Sequence, residues 1–140
     1  MEDWAIKTIV LGYDGSEGAE RALLLASSLA RQNKARVVVV TAFSWTYTID
    51  AMGERVAQFA QEAETIAQKA VTKLQATGVE ATSEVRDGSG GEVVLREAEE
   101  QKADLIVVGR RGLSLVASLL LGSTSEYVVR RATVPVLVAQ

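Results

Sequence analysis

The chain has 140 residues, 48% hydrophobic and 24% charged, with a net charge of −3; this is one domain's length and an ordinary globular composition, which excludes a disordered chain and a two-domain one. A pI of about 5.1 gives no bulk electrostatic reason to bind nucleic acid or an anionic membrane. Cysteine and histidine are both absent, which excludes disulfides, thiolate metal sites, most zinc sites and any Ser-His-Asp mechanism.

The N-terminus Met1-Glu2-Asp3-Trp4-Ala5 lacks the basic start and apolar core of a signal peptide. A first strand is expected from Ile6 to Leu11, ending in the turn Gly12-Tyr13-Asp14-Gly15. Ser16 is placed to cap a helix running to about Arg31, with Glu17 in its first turn and an apolar face at Ala22, Leu25, Ala26 and Leu29. Val37 to Phe43 is apolar without alternation, the pattern of a strand covered on both faces. A loop over Ser44 to Asp50 leads to a long helix ending near Thr77 before Gly78, with a stripe at Val56, Phe59, Ala63, Ile66, Ala70 and Leu74.

Glu80 to Arg86 alternates and is more polar, as expected of a third strand. Ser89-Gly90-Gly91-Glu92 has capping-box spacing and opens a helix to about Lys102. Leu105 to Val108 and Val134 to Ala139 complete the strands, and no internal repeat or linker interrupts the pattern. Residues 1–140 are therefore read as one domain. The longest apolar run, Leu113 to Leu121, contains two serines and is far short of the roughly 20 residues that span a bilayer; it is expected to pack over a cleft or against a partner subunit. A cytoplasmic location follows as the default.

Strands alternating with helices imply a parallel sheet. The polar third strand belongs at one edge, and Pro135, with no N–H to donate, puts the last strand at the other. The second strand is too apolar for an edge. An open five-stranded parallel sheet in the order 3-2-1-4-5, helices on both faces, meets all three conditions. The winding then reverses between strands one and four, and ligands of open α/β sheets lie at that crevice, beyond the carboxyl ends of the strands.

Two segments flank the crevice: the Asp14 turn, and Gly109-Arg110-Arg111-Gly112, followed after nine residues by Gly122-Ser123-Thr124-Ser125-Glu126. Gly109 and Gly112 let the backbone turn tightly and approach a ligand. Gly122 opens a helix N-terminus, whose amides and dipole favour an anion. Together they read as a phosphate cradle. Ser123 to Glu126 also has the spacing of a capping box, which needs no ligand. The motif lacks Gly-Lys-Ser/Thr, so it is not a P-loop. Arg110 and Arg111 can supply charge-assisted contacts to phosphate. Asp14 suits a ribose, a base or a bridging cation, and the backbone near Ala42 suits a base edge.

The spacing Gly-x2-Gly-x9-Gly-Ser formed by Gly109, Gly112, Gly122 and Ser123 resembles the ATP-binding signature of the universal stress protein family. The likeness extends to Tyr13-Asp14-Gly15-Ser16, to Ala103 through Gly109 and to Val134-Pro135-Val136-Leu137-Val138, and so covers the whole chain. It implies a Rossmann-like fold of the adenine-nucleotide α-hydrolase type and ATP bound with Mg²⁺. The adenosine half would lie near Gly12, Tyr13, Asp14 and Ala42, and the phosphates near Val108, Gly109, Arg111, Gly112, Gly122, Ser123 and Thr124. It further implies a regulator or nucleotide sensor with slow ATP hydrolysis at most, and a homodimer through the last strand. That strand's apolar residues point to the same edge independently. Arg110 departs from the small polar residue more usual there.

Three other functions are weighed against this one. An ATPase or nucleotidyl-transfer enzyme lacks an evident base or nucleophile. A ligand-free dimerisation module would not need the glycine motif. A response-regulator receiver would need an acidic cluster, for which Asp14 and Asp87 are the candidates.

Overall fold

The computed structural model describes residues 3–43, 52–110 and 121–140, with residues 52–57 as backbone only. In chain order the elements are β1 (Thr8–Gly12), α1 (Glu17–Asn33), β2 (Arg36–Phe43), α2 (Met52–Ala76), β3 (Ala81–Asp87), α3 (Gly90–Glu100), β4 (Leu105–Gly109), α4 (Ser123–Arg131) and β5 (Val136–Ala139). All strand pairs are parallel and the order is β3-β2-β1-β4-β5, as the polar third strand and Pro135 require. Pro135 itself stands just outside β5, where its carbonyl still accepts Ile106 N–H at 3.0 Å.

The period-two alternation of the strands builds two cores. Ile9, Leu11, Val37, Val39, Leu105 and Val107 face α1 and α2, while Val10, Val38, Val40, Ile106 and Val108 face α3 and α4. The central strand β1 is sealed, with Ile9, Val10 and Leu11 wholly buried. Among the described residues no helix is long and apolar enough to cross a membrane.

The register of α1 differs from the expected face. Ala19, Ala22, Leu23, Ala26 and Ala30 are buried, whereas Leu25 is 40% exposed and Leu29 only partly covered. The helix lies so close to the sheet that small side chains take the contact face. A Cβ on Gly109 would sit 2.5 Å from the Gly18 carbonyl carbon and 2.6 Å from its oxygen. The end of β4 thus touches the backbone of the first turn of α1, and any side chain there would force them apart. In α2 the stripe is Ala63, Ala67, Ala70, Val71 and Leu74; Phe59 is exposed, Ile66 is partly covered, and Val56 lies outside the described side chains.

The expected strand and helix ends move by one or two residues, the usual uncertainty where helices fray and ladders end. Glu97 is a feature the pattern does not announce. Its side chain is fully buried under α3, held by Arg86 Nε at 2.9 Å and Gln101 Nε2 at 3.4 Å.

The Gly18–Gly109 contact gives a direct stability prediction. Gly109→Ala overpacks a backbone-to-backbone contact and should lower the unfolding free energy by about 1–3 kcal/mol. Urea denaturation measures this; a variant as stable as the parent chain would show that β4 and α1 are not in contact there.

Candidate functional site

The site is assembled at the carboxyl ends of β1, β2 and β4. Gly12 pairs with Val40, so Ala42 lies two residues further along β2 on the same face of the sheet. Val108 is buried beside Gly12, and a Cβ on Gly12 would meet Val108 Cγ1 at 3.1 Å and Val94 Cγ2 at 3.0 Å. Gly12, Val108, Gly109 and Ala42 therefore share one end of the sheet, where β1 passes into α1 on one side and β4 leads away on the other.

The β1–α1 turn is tightly specified. Tyr13 N–H donates to Val40 O at 3.0 Å, and Tyr13 O accepts from the buried Thr41 hydroxyl at 2.8 Å. Asp14 Oδ1 accepts Ser16 N–H at 2.9 Å, an Asx turn that Gly15 completes at φ +80°. Ser16 then caps α1, its hydroxyl accepting Ala19 N–H at 3.2 Å. Asp14 thus stands at the crevice on a turn fixed from both ends.

Tyr13 is placed differently from the other expected site residues. Its side chain is only 5% exposed and packs in the core under α1 and α2. Its hydroxyl donates to Glu20, whose other carboxylate oxygen accepts from Lys73 Nζ at 2.9 Å. Burial, with the neighbouring Glu20 and Asp14 charges, pushes the phenol far above its usual value of 10.0. Burial alone would raise the Glu20 carboxyl, but the bonds from Tyr13 and Lys73 outweigh it and hold the group below its ordinary range.

On the opposite wall, α4 begins with Gly122 as its N-cap, in extended backbone, and no side chain caps the helix. This corrects the capping box expected over Ser123 to Glu126: Ser123 is already the first helical residue. The first helical hydrogen bond is Glu126 N–H to Gly122 O at 2.9 Å, so the amides of Ser123, Thr124 and Ser125 precede the intrahelical ladder. The Ser89 box is corrected likewise, since Ser89 is the N-cap of α3 without a side-chain capping bond. Thr124 turns its hydroxyl towards α3, where a Cβ on Gly90 would come within 2.6 Å of Oγ1.

The residue missing from the sequence-derived site is Ser125. It is buried, and its hydroxyl donates to Arg110 O at 2.8 Å and Gly122 O at 3.1 Å. Gly122 N–H donates to the same Arg110 carbonyl at 2.6 Å, and Arg110 N–H to Ala139 O at 2.8 Å. These bonds close the neck of the segment between β4 and α4. The hydroxyl-rich Ser-Thr-Ser run was the available signal, but it does not say which hydroxyl turns inward. The Arg110 guanidinium reaches Gln140 Oε1 at 3.1 Å, at the end of β5. Arg111 and Gly112 lie outside the described residues, as do the Ser44–Asp50 loop and residues 113–120.

Among the described residues no three acidic side chains gather into a receiver-type cluster. Asp87 ends the edge strand β3, separated by β2 from the strand that leads to Asp14. A cavity of about 640 Å³ lies elsewhere, along α2 beside Gln61, Thr65 and Lys69, and none of the described site residues lines it.

Comparison with known proteins matches residues 5–140 to the model of the universal stress protein family. The chain belongs to the universal stress protein family. A Thermus aquaticus relative, named as the universal stress protein in the QAH/OAS sulfhydrylase 3′ region, is 39% identical over 140 residues, covering 96% of this chain and 98% of that one. Among solved structures, a universal stress protein in complex with cAMP is 29% identical with a TM-score of 0.79, over 97% of this chain and 98% of that one. The Archaeoglobus fulgidus universal stress protein in complex with dAMP has a TM-score of 0.70 at 23% identity, over 99% and 100% of the two chains; that likeness speaks for the fold.

The Tyr13–Glu20 pair makes stability depend on pH in two opposite ways. Because the folded phenol is raised, its contribution is fully present below pH 10.0 and is lost as the pH climbs from there towards the folded value. The lowered Glu20 acts oppositely, contributing above the ordinary carboxylate range and losing that contribution as pH falls through its folded value. Urea midpoints measured above pH 10.0 should therefore fall more steeply for the parent chain than for Tyr13→Phe; parallel curves would contradict a buried, hydrogen-bonded phenol.

Proposed function

We propose that this universal stress protein is a regulatory adenine-nucleotide-binding module, with ATP and its Mg²⁺ as ligand. The observation that carries the reading is the start of α4, which no side chain caps and whose Ser123, Thr124 and Ser125 amides precede the helical ladder, next to the strand where the sheet reverses its winding. Ser123 and Thr124 would take phosphate oxygens through their amides. Gly122, whose own amide is held by the Arg110 carbonyl, would let the phosphate approach closely, and Val108, Gly109, Arg111 and Gly112 would form the rest of that wall. Gly12, Tyr13, Asp14 and Ala42 would form the adenosine wall. There Asp14 is an acceptor for ribose or base, Ala42 offers strand backbone, and the buried Tyr13 contributes by fixing the turn.

The structure of a 29%-identical family member with cAMP supports an adenine ligand. Among the described residues no group of three or more carboxylate, histidine or cysteine side chains is placed to hold a metal. A Mg²⁺ would be carried chiefly by the phosphate oxygens, with Asp14 as the protein group that would help hold it; its chemical role would be to neutralise phosphate charge. The absence of histidine from the sequence favours a sensor over an enzyme, with turnover below about one per second. The edge strand β5, with Val136, Leu137 and Val138 only half buried, suits pairing with a second copy and supports a homodimer.

Calorimetric titration with ATP, AMP and cAMP, with and without Mg²⁺, tests the reading. ATP at a hundred times its Kd should raise the unfolding free energy by about 2.7 kcal/mol. Asp14→Ala should weaken binding about tenfold or more, and Gly122→Val should abolish it by placing a branched side chain in the phosphate position. A parent chain whose stability none of the three nucleotides changes would overturn the proposal.

A further inference from the structure

Tyr13 is adjacent to Asp14, yet its polar tip points away from the crevice into the body of the protein. One end of the residue is anchored by two hydrogen bonds, its amide and carbonyl being bonded to Val40 and Thr41 of β2. The other end, the buried phenol, needs an acceptor, because an orphaned hydroxyl in the core is costly. That acceptor is Glu20 in the first turn of α1, and Glu20 is in turn gripped by Lys73 near the end of α2. Glu20 is 38% exposed and Lys73 52% exposed, so water competes for this carboxylate and the lysine restricts the positions it can take.

We propose that Glu20 and Lys73 are positioning residues of the nucleotide site: a strut from α2 that holds Tyr13 and, through it, the turn that presents Asp14. The consequence for ligand rests on the nucleotide reading above; the strut itself rests on the geometry alone. A second bond, from α1 to the residue that follows α2, Ser27 Oγ to Thr77 Oγ1 at 3.0 Å, does not touch the turn. Loss of Lys73 should therefore loosen the turn while leaving the packing of the two helices in place.

The experiment compares the parent chain with Lys73→Met, Lys73→Arg and Glu20→Gln. Amide hydrogen exchange is measured over residues 13–16 and over α2, and ATP affinity by calorimetry. An exposed ion pair of this kind supports a change of roughly two- to fivefold. Lys73→Met and Glu20→Gln should quicken exchange at the turn and weaken ATP binding by about that factor, with exchange in α2 nearly unchanged and the unfolding equilibrium shifted by no more than the same small factor. Lys73→Arg should restore both. Parental exchange at the turn in Lys73→Met and Glu20→Gln, or a loss that Lys73→Arg does not recover, overturns the strut. If the parent chain binds no ATP, the nucleotide reading fails and the exchange pattern alone decides the strut.

Discussion

A single carbonyl, that of Arg110, ties the start of α4 to the end of β4 by accepting both the Gly122 amide and the Ser125 hydroxyl. The remainder of the site depends on this clasp. It holds the helix N-terminus beside the strands that diverge from the sheet centre, and it spends the inward hydroxyl of Ser125 on the neck. The outward amides of the first turn are left without a side-chain cap. A helix end in that state favours an anion, because its partial positive charge and its donors point the same way.

Close backbone contact is the second constraint. Gly109 meets Gly18 across the space between β4 and α1, and the α1 face beneath is mostly alanine. The Asp14 turn and the start of α4 are thus carried by elements, α1 and β4, that touch each other at Gly18 and Gly109. Glycine in this motif therefore serves packing as much as ligand approach, since the space a Cβ would occupy at Gly109 is already filled by protein. Specificity of the turn comes from the other side, through Tyr13 and its bonds to β2 and Glu20.

Much of the architecture was legible from residues alone. A polar third strand and a proline before the fifth are enough to order the sheet, because both statements concern which backbone donors face solvent. The Ser16 cap was legible because its hydroxyl acts locally. The face of α1 was not: a 3.6-residue period marks both Leu25 and Ala26 as apolar, and only the proximity of the sheet decides that the smaller residues go inside. Capping spacing failed at Ser123 because a Ser-x-x-Glu string does not say whether the serine is the cap or the first helical residue; at Ser89 it found the cap residue but not a capping bond, which the side chain does not make. Glu97 carries no signal at all, as an acidic residue in an amphipathic helix normally faces water. Tyr13 reads as a turn residue, and only the fold shows that its ring belongs to the core.

These parts converge on one claim, that the first turn of α4 grips a polyphosphate. Backbone amide chemical shifts, followed by NMR as pyrophosphate and then ATP are added, test it most directly. The account predicts the largest shifts at Gly122, Ser123, Thr124 and Ser125 with both ligands, and additional shifts at Asp14 and Ala42 with ATP only. Shifts confined to other elements, or none at the start of α4 with either ligand, would contradict it.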